Sequence, residues 1–267
     1  MSKPQILMSP PDTFTVSYAI NPWMKEGAVN WDLAQRQWES LYKAITEQAG
    51  AEVKLMPAVE GLPDLVFTAN AAFVYQDTAI IAHYKHVERQ GEEPHCQTWF
   101  KENGYRVVTL PQGIYFEGAG DALIWNGRVF AGYKTRTDIL SHQVITQETS
   151  LPVLSMELID PRFYHIDVCI CPLDRDYFIY YPGAFDEYGL RVIEANIPQN
   201  RLIPVTAEEA GLFACNAVNI NDTVIFNKGS DRLAKVLSDR RFKVIQLDMS
   251  EFLKSGGSTK CLTLRVA

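Results

Sequence analysis

Cys261 follows Lys260 and a glycine- and serine-rich run, Ser255-Gly256-Gly257-Ser258-Thr259. A neighbouring cation lowers a thiol's pKa, and a flexible glycine lead-in lets the sulfur be presented, so this cysteine reads as a nucleophile. A buried structural thiol is the ordinary alternative. His165 and Asp167 stand two residues apart, which on a strand puts imidazole and carboxylate on one face, a pairing suited to proton transfer and to holding a cation. An isolated pair of this kind also occurs as a hydrogen-bonded strand end. Glu117 opens Glu117-Gly118-Ala119-Gly120-Asp121, where small residues allow close backbone approach. Asn70 and Asn216 add carboxamides. Each signal is weak by itself.

Other groupings carry less. His165, Cys169 and Cys171 lie close enough to suggest zinc, but a paired Cys-x-x-Cys and a fourth ligand are missing. His83, His86 and His95 fit a solvated loop, and Arg89 stands in a charge run. Arg136 sits where a strand hands over to a helix, a common place for ligand contacts. No dinucleotide-binding glycine loop, phosphate loop or nucleophile-elbow motif occurs.

The elements that must position these residues repeat. Hairpins are expected around turns at 76–77, 126–127, 174–176 and 221–222, of which Asn126-Gly127 is the strongest signal. The turns are spaced by 50, 48 and 47 residues, a period that marks repeated supersecondary units. Each hairpin is followed by an amphipathic helix (92–103, 138–148 with Thr137 as N-cap, 186–196, 231–239) and a short apolar strand. The segment 260–266, opened by Cys261, lacks a downstream hairpin partner; the strand 14–20, the helix 31–49 and the strand 51–57 would complete a fifth unit with it. The expectation is one α/β domain over 1–267, five ββαβ modules closed in a ring, with the first and last strands paired. Asn70 lies six residues before its turn, Glu117 and His165 nine, and Asn216 five. Together with Cys261 they would face one central cavity, where secondary structure itself asks for no polar groups.

Composition limits the function classes. With 47% hydrophobic residues and no low-complexity tract, long-range disorder is excluded. A net charge of −7 is the wrong sign for a non-specific nucleic-acid binder and suits a cationic small ligand. The N-terminal stretch shows no apolar run of signal-peptide length, and no segment approaches a membrane span, so a cytoplasmic protein is expected. In that reducing setting the five cysteines should be buried free thiols.

Taken as a set, these residues resemble the guanidine-modifying (pentein) superfamily of arginine deiminases, dimethylarginine dimethylaminohydrolases and amidinotransferases. The likeness runs through the whole chain and rests on the segments 63–70 and 116–121, on His165-Ile166-Asp167 and on Cys261. Ser9-Pro10-Pro11-Asp12, Asn21-Pro22-Trp23-Met24 and 260–265 are most similar to the arginine dihydrolase domain of cyanobacterial bifunctional arginine-catabolic enzymes. The resemblance implies a fivefold pseudosymmetric α/β-propeller and hydrolysis of arginine to ornithine, two ammonia and carbon dioxide, without metal or cofactor. It implies Cys261 as nucleophile, His165 as proton carrier, and Glu117 and Asp167 as the groups that hold the guanidinium. Asp64 and Asn21 are implied in substrate binding, Arg89 and Arg136 in gripping its α-carboxylate. Where the deiminases and dimethylarginine hydrolases carry Asp, this chain has Asn70, as in the dihydrolases, where the Asn is associated with hydrolysis past citrulline. The bifunctional proteins continue into a second enzyme domain, whereas this chain ends six residues after Cys261, so no second activity of that kind is expected. Alternatives are an enzyme of the same chemistry stopping at citrulline, a hydrolase of substituted guanidines, an amidinotransferase, a catalytically silent guanidine-binding protein, and a zinc hydrolase. The partner is a small guanidino compound, not nucleic acid or membrane; a homo-oligomer is open.

Overall fold

At the four turns the backbone of the computed structural model enters the left-handed region: Gln76 (φ 54°), Asn126 and Gly127 (45° and 72°), Arg175 and Asp176 (59° and 64°), and Asn221 (53°). Positive φ at these positions gives the loop the same twist as the strands it joins, and Asn-Gly reaches it at least cost. The structure describes residues 3–27 and 29–267; Met1, Ser2 and Ala28 fall outside it.

The first module contains β1 (Gln5–Met8), α1 (Trp31–Lys43) and β2 (Glu52–Leu55). The second has β3 (Ala72–Tyr75), β4 (Thr78–Ile81), α2 (Glu93–Glu102) and β5 (Arg106–Val108). The third has β6 (Ala122–Trp125), β7 (Arg128–Tyr133), α3 (Ser141–Thr149) and β8 (Val153–Glu157). The fourth has β9 (Ile170–Pro172), β10 (Phe178–Tyr180), α4 (Glu187–Asn196) and β11 (Leu202–Pro204). The fifth has β12 (Val218–Ile220), β13 (Thr223–Asn227), α5 (Asp231–Asp239) and β14 (Lys243–Leu247), and the chain returns to the first module as β15 (Leu264–Arg265).

Every module is a three-stranded sheet of one topology. The hairpin's second strand lies in the middle, antiparallel to the first strand and parallel to the strand that returns after the helix. In the first module β15 takes the place of the hairpin's first strand, pairing Ile6 with Arg265 and Leu7 with Leu264. Chain ends thus meet in one sheet and close a fivefold α/β-propeller, with helices outside. The helices bury one stripe each. α1 is capped by Asn30, which accepts from Leu33 N, and buries Ala34, Trp38 and Leu41. α5 buries Leu233 and Leu237, four apart on one face, each worth about 1.5–3 kcal/mol.

Several elements differ from expectation, for identifiable reasons. The segment 14–20 is no strand. Phe14 and Val16 alternate inward because Phe14 packs on Phe67 and Phe252, yet the backbone makes only the isolated bridge Val16–Gly27. The first-module strand is instead β1, with the prolines Pro10 and Pro11 soon after it. Helix 138–148 begins later, at Ser141, so Thr137 is not its N-cap. Helix 92–103 is preceded by a separate short helix, Val87–Gln90, that carries Arg89. Cys261 does not open β15 but sits three residues before it, and His165 and Asp167 border and occupy a 3₁₀ turn rather than a strand. The run 255–259 is not a flexible lead-in: Ser255, Ser258 and Thr259 are buried, and a Cβ on Gly257 would lie 2.3 Å from the Phe67 ring. Its glycines serve close packing. All five cysteines are free and buried. Among the described residues, no helix is long and apolar enough to cross a membrane.

Candidate active site

In each module the hairpin's first strand is preceded by an irregular turn pointing at the propeller axis, a 3₁₀ turn in the middle three. Counted back from that strand, the polar groups fall into pairs. Asn70 and Asn216 lie two residues before β3 and β12, Asp167 and Cys261 three before β9 and β15, and Glu117 and His165 five before β6 and β9. Turn-to-turn packing between modules then brings them together at one end of the axis, all nine-tenths or more buried.

Glu117 lies at the centre. Its Oε2 is 2.7 Å from His165 Nε2, and Arg136 Nη1 donates to both of its oxygens at 3.2 and 3.0 Å. Burial pushes this carboxyl up, but Arg136 and His165 outweigh it and hold Glu117 well below the usual carboxylate range. Thr137, displaced from its expected capping role, accepts Glu117 N at 3.2 Å. Asp121 adds a carboxylate that the motif spacing did not mark as functional. Its Oδ1 accepts Ile166 N at 3.0 Å, fixing the backbone next to His165, and burial raises it to about 6.

On the other side, Cys261 Sγ lies 3.6 Å from Asp167 Oδ2 and 3.1 Å from Asn216 Nδ2. Burial and then Asp167 push the Cys261 thiol well up. Asp167 is itself raised to about 7 by burial, against the pull of Lys260, and its buried Oδ1 has no hydrogen-bond partner. A buried, unpaired carboxylate oxygen beside a thiol is a site prepared for a cation.

Asn70 is fixed from behind. Its Oδ1 accepts from Arg89 Nη1 at 2.9 Å and its Nδ2 donates to Glu117 O at 3.2 Å, which sets the amide's orientation. Arg89 in turn is held by Glu92 through two 2.8 Å bonds, lies over the Tyr84 ring at 4.5 Å, and has Asp64 Oδ2 at 4.0 Å. Asp64 Oδ1 accepts from Ser255 Oγ at 3.2 Å. The loop 20–24 covers the site: Arg136 Nη2 donates to Ile20 O at 2.9 Å, and Asn21 Nδ2 donates to Ser255 O at 3.1 Å. Beneath it a small cavity, about 10 Å³ and nearly closed, is lined by Ile20, Asn21, Asp64, Asn70, Arg89 and Arg136, with Tyr164 and Cys261. A larger opening at the far end of the axis, among the hairpin turns, is lined by Tyr75, Trp125 and Asp174 and lacks these converging groups.

Most of the residues expected at the site therefore converge. Glu117 is engaged by His165 and Arg136, whereas Asp167 Oδ1, like Asp121 Oδ2, is buried without a partner. Both arginines already have protein partners, Arg89 in Glu92 and Asn70 and Arg136 in Glu117 and Ile20 O. The zinc alternative fails in geometry: Cys169 Sγ donates to Ile166 O at 3.3 Å and Cys171 Sγ to Ala217 O at 3.2 Å, and no metal-holding cluster occurs among the described residues. His83 is half-buried against Glu93 at 3.2 Å.

Comparison with known proteins places this architecture. Residues 4–267 match the family described as N,N-dimethylarginine dimethylhydrolase, eukaryotic. The chain is 47% identical over 99% of its length to the bifunctional arginine dihydrolase/ornithine cyclodeaminase of Nostoc sp., covering 38% of that protein. It thus spans well under half of that relative. It is 40% identical to the N(G),N(G)-dimethylarginine dimethylaminohydrolase of Mycobacterium tuberculosis, over 97% of this chain and 84% of that one. The product-bound N-terminal domain of ArgZ, an arginine dihydrolase of the ornithine–ammonia cycle in cyanobacteria, superposes with a TM-score of 0.97 at 46% identity, over 100% of this chain and 98% of that one.

Proposed function

The chain belongs to the N,N-dimethylarginine dimethylhydrolase family, and on that premise we propose that it is an arginine dihydrolase, converting L-arginine and two waters to ornithine, two ammonia and carbon dioxide. The observation that carries the reading is the meeting of a thiol, a His–Glu pair and an unpaired carboxylate in one buried cavity whose remaining polar wall is the carboxamide of Asn70.

Asp167 takes the guanidinium through its open oxygen, and the arriving cation lowers both Asp167 and the neighbouring thiol, so Cys261 ionises when substrate is bound. Asp64 faces the substrate's ammonium. Arg136, on leaving Glu117, is the group for its carboxylate. Cys261 Sγ forms a bond to the guanidinium carbon; the carbon–nitrogen bond to one terminal nitrogen breaks, and His165 supplies the proton that lets it leave as ammonia. Water, deprotonated by His165, attacks the thiouronium carbon, the carbon–sulfur bond breaks, and citrulline results. In the second round Cys261 attacks the ureido carbon and expels the second ammonia. Hydrolysis of the thiocarbamate leaves an N-carboxy ornithine, which loses carbon dioxide. Asn70 decides whether this round proceeds, because its Nδ2 can donate to the neutral ureido oxygen and to the oxyanion that forms from it.

Chromatography of the products from arginine should show ornithine without a lasting citrulline pool. Asymmetric dimethylarginine, run in parallel because of the Mycobacterium relative, should be the poorer substrate; preferential release of dimethylamine would overturn the assignment.

Two further results are expected. With Asp167 at about 7 in the free protein, the form that binds a cation is lost as pH falls, so kcat/KM should drop about tenfold per unit below that point. Asp167→Asn should remove this acid limb and lower kcat/KM throughout. In Gly120→Ala, the added Cβ would lie 2.2 Å from Asn70 Nδ2 and 3.3 Å from His165 Nδ1. Both groups must move, and kcat should fall roughly 100-fold, the scale set by a displacement of about 1 Å.

A further inference from the structure

The geometry points to Asn216 as a catalytic residue that holds Cys261 in register and donates a hydrogen bond to its thiolate. The inference rests on the reading of Cys261 as nucleophile. Asn216 is fully buried, and its side-chain oxygen accepts two backbone N–H groups, from Lys260 at 3.1 Å and from Cys261 at 3.2 Å. Only an acceptor can face those donors, so the amide cannot be turned around. Its nitrogen must then face the other way, toward Asp167 O and Cys261 Sγ, both at 3.1 Å. The Asn216 backbone is tied to the same segment, since its carbonyl accepts from Thr259 Oγ1 at 2.7 Å.

These bonds do two things. They fix the nucleophile's peptide relative to Asp167, the group that receives the guanidinium. They also aim a fixed N–H dipole at the atom that becomes negative, in a site shielded from water where such a contact counts most. A sulfur held only by packing would keep neither property. Asn216 stands at the same module position as Asn70: one carboxamide serves the substrate's oxygen, the other the enzyme's sulfur.

Asn216→Asp is the sharpest test, because one carboxylate oxygen still accepts both backbone N–H groups while the other replaces the donor with an acceptor beside sulfur. Thiolate formation is read with a cation in the site, from the pH dependence of Cys261 alkylation by 2-chloroacetamidine, whose amidinium takes the place of the guanidinium beside Asp167, with Cys261→Ser as the blank for the other cysteines. The thiol pKa should rise by at least one unit, alkylation at pH 8 should slow at least tenfold, and kcat for arginine should fall about 100-fold with KM within threefold. Asn216→Ser, which keeps a shorter donor, should lie between wild type and Asp on each readout. An unchanged alkylation profile in both folded variants, or equal losses in Ser and Asp, overturns the assignment of Asn216. If complete alkylation of wild-type Cys261 leaves arginine turnover intact, it is the nucleophile itself that is wrong.

Discussion

Cys261→Ala should abolish arginine consumption, by roughly 10⁴–10⁶ in kcat, while arginine still binds. The loss is large because every covalent step passes through one sulfur. In the proposed mechanism both rounds of hydrolysis form and break a bond to it, and no neighbouring group can substitute: Cys169 and Cys171 are turned toward backbone carbonyls. Binding should survive because Asp64, Asp167 and Arg136 do not depend on the sulfur for their positions. The fold should survive too, since only one buried atom is removed and Asn216 Oδ1 still accepts the backbone at 260 and 261. Arginine should therefore raise the melting temperature of the variant as it does that of the wild type. Turnover within about 100-fold of wild type would mean that water, not sulfur, attacks the guanidinium carbon.

Asn70→Asp should turn the product from ornithine to citrulline. The substitution is nearly isosteric, and Arg89, 2.9 Å away, pairs at least as well with a carboxylate, so the side chain stays anchored on that side while its bond to Glu117 O is lost. What changes is the group facing the substrate. The guanidinium of the first round is a cation and tolerates the extra negative charge, so arginine consumption should stay within about tenfold. The ureido group of the second round is neutral, and its oxygen would meet a carboxylate in place of an N–H. Loss of one such donor costs about 10²–10³ in rate, so turnover of added citrulline should fall by that factor. Ornithine formation at the wild-type rate would remove Asn70 from the account.

The repeat was legible in the sequence because hairpin turns leave strong local marks: Asn126-Gly127 and the polar pairs at the other turns announce themselves, and their spacing counts the modules. The convergence of the site was legible for the same reason, since equivalent positions in a closed ring face one axis. The exact register was not. Counting from the turns pairs Glu117 with His165 but leaves Asn70 and Asn216 one residue apart, because β3 is one residue longer than β12, whereas counting from the strand starts pairs both sets. Segment 14–20 misled because side chains packing alternately inward imitate a strand without requiring a backbone partner. Thr137 misled because a cap signal three residues too early was serving Glu117 N instead. The roles of Arg89 and Arg136 could not be read locally at all. Whether an arginine meets Glu92, Glu117 or a ligand depends on which modules lie side by side, and sequence spacing does not encode that. Asn216 carried one usable signal, its shared module position with Asn70.

Thiol chemistry that runs twice on one bound carbon frees two nitrogens from each arginine. The deciding measurement is the ammonia released per arginine consumed, run to completion with purified protein and no added amine. Two ammonia with one ornithine is the expected ratio; one ammonia with an equivalent of citrulline would contradict it.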